Sequence, residues 1–261
     1  IIPVMSKKII VANWKMNPAS LKEAKVLFGS VKKTASRLFN VETVICPPFI
    51  YLSELGHSMS KLKLGAQDVS SFDFEGAHTG EISAKMLKNS GVKYALVGHS
   101  ERRKLGETNE TINKKIGISL SLGLKVIFCV GEEIRDEEGK FREFIERQIN
   151  EGLRGLSQNL IKNLIIAYEP VWAISANAKS KPDEPEVAFK IAVLIRKILM
   201  DFAGNDLARK IPVLYGGSVG ATNARQFLKD GQMGGLLVGN KSLSKEEFKK
   251  ILIIAENING Y

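Results

Sequence analysis

The segment Leu164-Ile165-Ile166-Ala167-Tyr168-Glu169-Pro170-Val171-Trp172-Ala173-Ile174 joins a short apolar run to a carboxylate and then to a stiff turn. Leu164 to Ala167 has the length and composition of a buried strand, so Glu169 falls at the strand's C-terminal end rather than inside a packed layer. Pro170 fixes the backbone directly after the carboxylate, and Pro170-Val171-Trp172 reads as a hinge for the loop beyond. One strand ending on a polar residue is ordinary. Its recurrence along the chain decides the fold.

Seven more apolar runs of strand type follow the same plan, at residues 9–13, 43–46, 62–67, 94–98, 125–130, 211–215 and 235–238. Amphipathic segments separate them, with helical periodicity through stretches such as 187–202 and 248–258. Ser20 with Glu23, Asp183 with Glu186 and Ser244 with Glu247 each set an Asp or Ser three residues before a Glu, the pattern that satisfies free amides at a helix start. Strand–helix alternation implies a parallel sheet, because parallel neighbours need long crossovers. An open doubly wound sheet and a closed barrel both fit. Eight strands, a length near the ~250 residues typical of the barrel, and polar residues at successive strand C-termini favour an α/β fold of the (β/α)8 barrel type. No Gly-x-Gly-x-x-Gly follows the first strand, which leaves a dinucleotide-binding fold little support. With no linker in view, residues 1–261 are expected to form one domain, residues 1–8 being an N-terminal extension or lead-in to the first strand.

The chain has 261 residues, 44% hydrophobic and 25% charged, enough for one large core. Cys46 and Cys129 sit in apolar, strand-like runs and read as reduced core thiols, which suits a cytoplasmic location. No apolar run approaches the roughly 18–20 residues of a membrane span, and the N-terminus lacks a signal-peptide pattern. Met5 reads as a natural start, with Ile1 to Val4 upstream of it. The net charge of +10 raises the question of nucleic-acid binding. The lysines are dispersed, however: Lys22, Lys25, Lys32 and Lys33 on one helical stretch, Lys114 and Lys115 on another, Lys249 and Lys250 near the end. No aromatic residues are interleaved with them as a stacking platform would require. Solvated helix faces are the expectation, with neither a nucleic-acid nor a membrane partner, and a positive background that would attract a small anion.

Several short motifs lie at the ends of successive strands: Asn13-Trp14-Lys15-Met16-Asn17, Gly65-Ala66-Gln67-Asp68, Gly80-Glu81-Ile82-Ser83, Gly98-His99-Ser100-Glu101-Arg102-Arg103, Ala167 to Ile174, Tyr215-Gly216-Gly217-Ser218-Val219 and Leu237-Val238-Gly239-Asn240. Together, and in this order, they make the chain resemble the triosephosphate isomerases over nearly its whole length. The resemblance implies interconversion of dihydroxyacetone phosphate and D-glyceraldehyde 3-phosphate through an enediol(ate), in glycolysis and gluconeogenesis, with no metal and no organic cofactor.

That chemistry asks for four things. A base must remove a proton from carbon beside a carbonyl, and Glu169 is the candidate; such help is typically worth about 10²–10⁴-fold. An electrophile must stabilise the oxyanion, and His99 ends a strand and opens a short helical turn, where a helix N-terminus disfavours the imidazolium. A fixed positive charge must face the developing anion, the part expected of Lys15, with Asn13 presenting an amide from the same side. Glu101 is a natural counter-ion for Lys15, and the resemblance gives it a catalytic or supporting part. Finally, the phosphate must be gripped so that remote binding energy orients the reacting end. Ser218 after the seventh strand and Gly239 and Asn240 after the eighth lie where such barrels commonly bind phosphate. Ser175, the first position of the lid, is expected to add its backbone amide.

Departures from the family pattern concentrate in the lid, where Ser175-Ala176-Asn177-Ala178-Lys179-Ser180 stands in place of a glycine-rich tip. His78 occupies a position usually aromatic, and Asn240 replaces a glycine. In the family, the loop corresponding to residues 76–80 enters a neighbouring subunit, so a homodimer with Thr79 toward the partner's site is implied. Two other readings compete with an active isomerase: a non-catalytic homologue retaining the fold, supported only by the altered lid, and a different phosphosugar enzyme on the same barrel. Lys15, His99 and Glu169 taken together argue against both.

Overall fold

In a computed structural model, residues 7–56, 61–136, 139–174 and 183–259 are described. Eight strands run in chain order: β1 (Lys8–Asn13), β2 (Val41–Cys46), β3 (Lys63–Ala66), β4 (Tyr94–Val97), β5 (Lys125–Val130), β6 (Leu164–Tyr168), β7 (Val213–Tyr215) and β8 (Gly235–Val238). Every neighbouring pair is parallel, and β1 pairs with both β2 and β8, so the sheet closes into a barrel in sequence order. At the closing seam a Cβ on Gly235 would collide with the Ile9 carbonyl, so β8 can approach β1 only without a side chain there.

Helices fill the crossovers. Leu21–Ala35 follows β1, Phe49–Gly56 follows β2 and Ala84–Asn89 follows β3; Ser100–Lys104 and Asn109–Ser121 follow β4. Lys140–Leu153 and Gln158–Ile161 follow β5, Pro185–Lys210 follows β6, Ala224–Lys229 follows β7 and Lys245–Glu256 follows β8. Among the described residues, no helix is long and apolar enough to cross a membrane.

The strands' two-residue period sorts their side chains into two cores. Ile9, Val11, Leu96, Ile127, Ile165 and Leu214 fill the barrel interior, joined there by Cys46 and Cys129, both free and buried. Their neighbours, such as Ile10, Ala12, Ile45, Val126, Ile166 and Val213, face outward and pack under the helices.

The expected strand positions hold, with small shifts at the ends that have local causes. Pro212 has no amide to give the ladder, so β7 begins at Val213 although the Pro212 carbonyl still accepts from Ile166 N at 3.0 Å. Gly98 leaves extended geometry at φ 73°, which ends β4 at Val97. The Ser20 and Ser244 caps form as expected, each hydroxyl accepting at 3.3 Å, from Glu23 N and Glu247 N respectively. The third differs. Pro185 takes the first helical position, for which its fixed φ is suited, so Glu184 becomes the cap residue. Asp183 instead accepts from Glu184 N at 3.0 Å. The periodic stretch 187–202 stops just short of Gly204, whose φ of 69° interrupts that helix.

Candidate active site

The C-terminal mouth of the barrel gathers residues from β1, β4, β6, β7 and β8 around a cavity of about 300 Å³. On the β1 side, Lys15 adopts a left-handed backbone conformation at φ 54°, costly for a residue with a side chain. Its neighbours hold it there. Lys15 N donates to Asn13 Oδ1 at 3.0 Å, and Gln67 Nε2 donates to the carbonyls of Lys15 and Cys46 at 2.8 and 2.9 Å. Trp14 is fully buried beneath this turn. The Lys15 ammonium is thus presented across the cavity, 2.5 Å from Glu101 Oε1, with its Cε close to the backbone of Gly239.

His99 follows the left-handed Gly98 and caps the short helix Ser100–Lys104. Its Nδ1 accepts from Glu101 N at 3.2 Å, which leaves no proton on that nitrogen and requires Nε2–H in the neutral ring. Nε2 lies 3.1 Å from Glu169 Oε1, and the other carboxylate oxygen accepts from Ser100 N at 3.2 Å. Both His99 and Glu169 are buried. Glu101 is half exposed; burial pushes its carboxyl up, but the hydrogen bond from Lys15 and the charges of Lys15 and Lys104 hold it below the usual range.

Glu169 is set by its backbone. Its amide donates to Val130 O at 2.8 Å, extending the β5–β6 ladder by one rung. A Cβ on Gly131 would strike the Glu169 carbonyl, and one on Gly216 would come within 2.9 Å of Glu169 Cγ. Two bare glycines therefore give Glu169 its room, Gly131 beside its backbone and Gly216 beside its side chain. Beyond it, Trp172 Nε1 and Tyr168 Oη both donate to Glu132 Oε1 at 3.0 Å, tying the Pro170–Ile174 hinge to the end of β5.

On the far wall stand two glycine-bearing turns. Gly216, Gly217 and Val219 line the cavity after β7, and Gly239, Asn240 and Lys241 line it after β8. A Cβ on Gly217 would collide with the Tyr215 hydroxyl, whose ring is stacked on Phe227 with centroids 3.8 Å apart. Ser218 N donates to Ala173 O at 3.2 Å, joining this turn to the hinge after Glu169.

The geometry brings together Asn13, Lys15, His99, Glu101, Glu169, Gly239 and Asn240 around one cavity, with Ser218 between two of its lining residues. Ser175 and the rest of the lid tip lie outside the described residues, as do Ile1 to Met5. Thr79 is on an exposed loop away from this cavity, where His78 stacks on Phe72 with centroids 3.6 Å apart. Two residues acquire parts that the sequence reading did not assign. Gln67 braces the Lys15 turn, and its signal was a polar residue closing an apolar run. Lys241 adds a cation beside the β8 turn; a lysine in a chain this rich in lysine carries no signal of its own. Among the described residues, no group of three or more His, Cys, Asp or Glu could hold a metal ion.

Fold and site together define a (β/α)8-barrel protein with a carboxylate, a neutral imidazole and an ammonium converging at the C-terminal mouth. Comparison with known proteins narrows this. Residues 8–255 match the family model described as triosephosphate isomerase. The chain is 40% identical over 259 residues to a triosephosphate isomerase of Natranaerobius thermophilus, covering 98% of this chain and 99% of that protein. It is 41% identical over 252 residues to one of Dictyoglomus thermophilum (95% and 99% covered), and 42% identical over 251 residues to one of Dehalococcoides mccartyi (95% and 96% covered). The chain belongs to the triosephosphate isomerase family.

Proposed function

We propose that the chain interconverts dihydroxyacetone phosphate and D-glyceraldehyde 3-phosphate, as a glycolytic and gluconeogenic isomerase. The observation that carries the reading is the 3.1 Å approach of His99 Nε2 to Glu169 Oε1 in a ring whose Nδ1 is already committed as an acceptor. At that distance the two groups meet directly, so an entering triose parts them, taking the proton acceptor on one side and the N–H donor on the other. Glu169 removes the proton from the carbon beside the carbonyl. His99 Nε2–H and the Lys15 ammonium stabilise the oxyanion of the resulting enediolate, the remaining hydroxyl proton passes from its oxygen to the oxyanion, and the protonated Glu169 returns its proton to the adjacent carbon. No bond to a metal or organic cofactor is needed for that exchange.

Lys15 also faces the wall where the Gly217, Gly239 and Asn240 amides would bind the phosphate, joined by the Ser218 amide once it leaves the Ala173 carbonyl, with Asn13 orienting the oxygen near Lys15 and Glu101 holding the ammonium. Ser175 would close over the phosphate from the lid. A cytoplasmic location agrees with two buried free thiols. One domain spanning residues 1–261 agrees with strands closing from Lys8 to Val238. A homodimer through residues 76–80, with Thr79 at the partner's site, is supported by exposed apolar side chains: Met16, 93% exposed, next to Lys15, and Phe72, Phe74 and Met86 in the segment after β3.

A coupled assay with glyceraldehyde 3-phosphate tests the reading. Strong activity is expected, reduced at least about 10²-fold in Glu169→Gln. An inactive wild-type protein, or an undiminished variant, would overturn it.

A further inference from the structure

The β4–β5 ladder ends at the pair Val97 and Phe128. The next residues on the two strands, Gly98 and Cys129, have no backbone pairing with each other, yet they lead directly into the reacting groups. Gly98 precedes His99. Cys129 precedes Val130, whose carbonyl accepts the Glu169 amide. One side chain fills the missing rung: Arg103 Nε donates to Gly98 O at 2.8 Å, and Nη2 donates to Cys129 O at 3.4 Å. Its remaining prong, Nη1, donates to Asn109 Oδ1 at 2.6 Å, and Asn109 Nδ2 donates in turn to Glu151 Oε2 at 2.7 Å on the helix Lys140–Leu153. The guanidinium is thereby fixed at three edges.

We infer that Arg103 is a positioning residue for the isomerisation: by clamping the Gly98 and Cys129 carbonyls it sets the spacing between the His99 imidazole and the Glu169 carboxylate. The inference rests on the proposed roles of those two residues. Three features favour this over a general packing role. The clamp begins where the strand ladder stops, so no backbone hydrogen bond duplicates it. Gly98 is left-handed, and a Cβ there would lie 3.1 Å from Arg103 Nη2 and 3.3 Å from Cys129 O, so this joint is built to admit the guanidinium. The planar fork reaches two carbonyls at once, which an ammonium on a flexible stem cannot reproduce. Burial depresses the Arg103 pKa while the charges of Glu107 and Glu169 act in the opposite direction, in keeping with a cation lying behind the base.

The test is steady-state kinetics on the full chain for Arg103→Lys, Arg103→Ala and Asn109→Ala, with Glu169→Gln in parallel. Misplacing a reacting group by about 1 Å costs on the order of 10²-fold. Arg103→Lys and Arg103→Ala are therefore expected to lose about 10- to 100-fold in kcat, with KM and the inhibition constant of inorganic phosphate within about twofold of wild type. Millimolar guanidinium should restore part of the kcat of Arg103→Ala, whereas ammonium should not. Asn109→Ala keeps both carbonyl contacts and should lose less than about threefold. Wild-type kcat in Arg103→Lys beside an inactive Glu169→Gln would overturn this inference alone, as would an equal loss in Asn109→Ala. An active Glu169→Gln would instead overturn the underlying reading of the site. Should Arg103→Ala not fold, Arg103→Lys against Asn109→Ala still decides the matter.

Discussion

His99 Nε2 and Glu169 Oε1, separated by 70 positions in the chain, lie 3.1 Å apart at the mouth of the barrel. Neither could hold this position alone. The imidazole is oriented by the Glu101 amide at Nδ1, and the carboxylate by the Ser100 amide at Oε2. Both amides open the helix Ser100–Lys104, so one turn of backbone aims the donor and the acceptor together.

Replacing His99 with Gln keeps a hydrogen-bond donor in the pocket but loses its fixed direction. Loss of one such electrophilic donor typically costs about 10²–10³-fold in kcat. His99→Gln should fall in that range with little change in KM, as measured in the coupled assay. A variant of wild-type kcat would remove His99 from the reaction.

The wall formed after β7 and β8 should respond to charge. Ser218→Asp would place a carboxylate beside a bound phosphate and is expected to raise KM sharply through repulsion, while leaving the folded barrel intact. An unchanged KM would refute the phosphate assignment.

Asp183 links stability to pH. It is buried, its Oδ2 finds no donor among the described residues, and burial pushes its pKa up to about 6 despite the nearby Arg135. The folded state then binds more protons than the unfolded state between about pH 4 and pH 6. This group's contribution to stability is therefore greatest below about pH 4, falls as the pH rises, and is lost above about pH 6. Asp183→Asn removes the buried charge and should raise the melting temperature at pH 8, by the equivalent of about 2 kcal/mol or less, with little effect at pH 4. Calorimetry at the two pH values checks this; equal shifts at both would contradict it.

Met16 projects into solvent next to the strained Lys15 turn. If a second copy covers it, Met16→Glu should favour monomers in sedimentation and lower activity by loosening that turn. A fully active protein of unchanged mass would contradict the proposed dimer.

Much of this was legible in the sequence because barrel strands are buried on both faces and read as short apolar runs. Glu169, His99 and Lys15 stood out because each interrupts or follows such a run. Strand ends were less legible: neither the missing Pro212 amide nor the turn at Gly98 changes the apolar pattern. The sequence points to a cap one residue before Glu184 because Asp183 fits the side-chain pattern, while Pro185 sets the start through backbone geometry. Gln67 and Arg103 lie within the strand-end motifs, yet the motifs give neither a part of its own. Their work is to hold carbonyls of other strands, and nothing in the neighbouring sequence reports which carbonyls closure of the barrel will bring near.

A crystal structure with a planar, phosphorylated enediolate mimic bound would test the central claim most directly. The expected result is one mimic with its oxygens within hydrogen-bond reach, about 2.6–3.2 Å, of His99 Nε2 and Lys15 Nζ, its reacting carbons facing the Glu169 carboxylate, and its phosphate on the Gly217–Ser218 and Gly239–Asn240 amides. A mimic bound with Glu169 out of reach of those carbons, or with its phosphate elsewhere, would contradict the account.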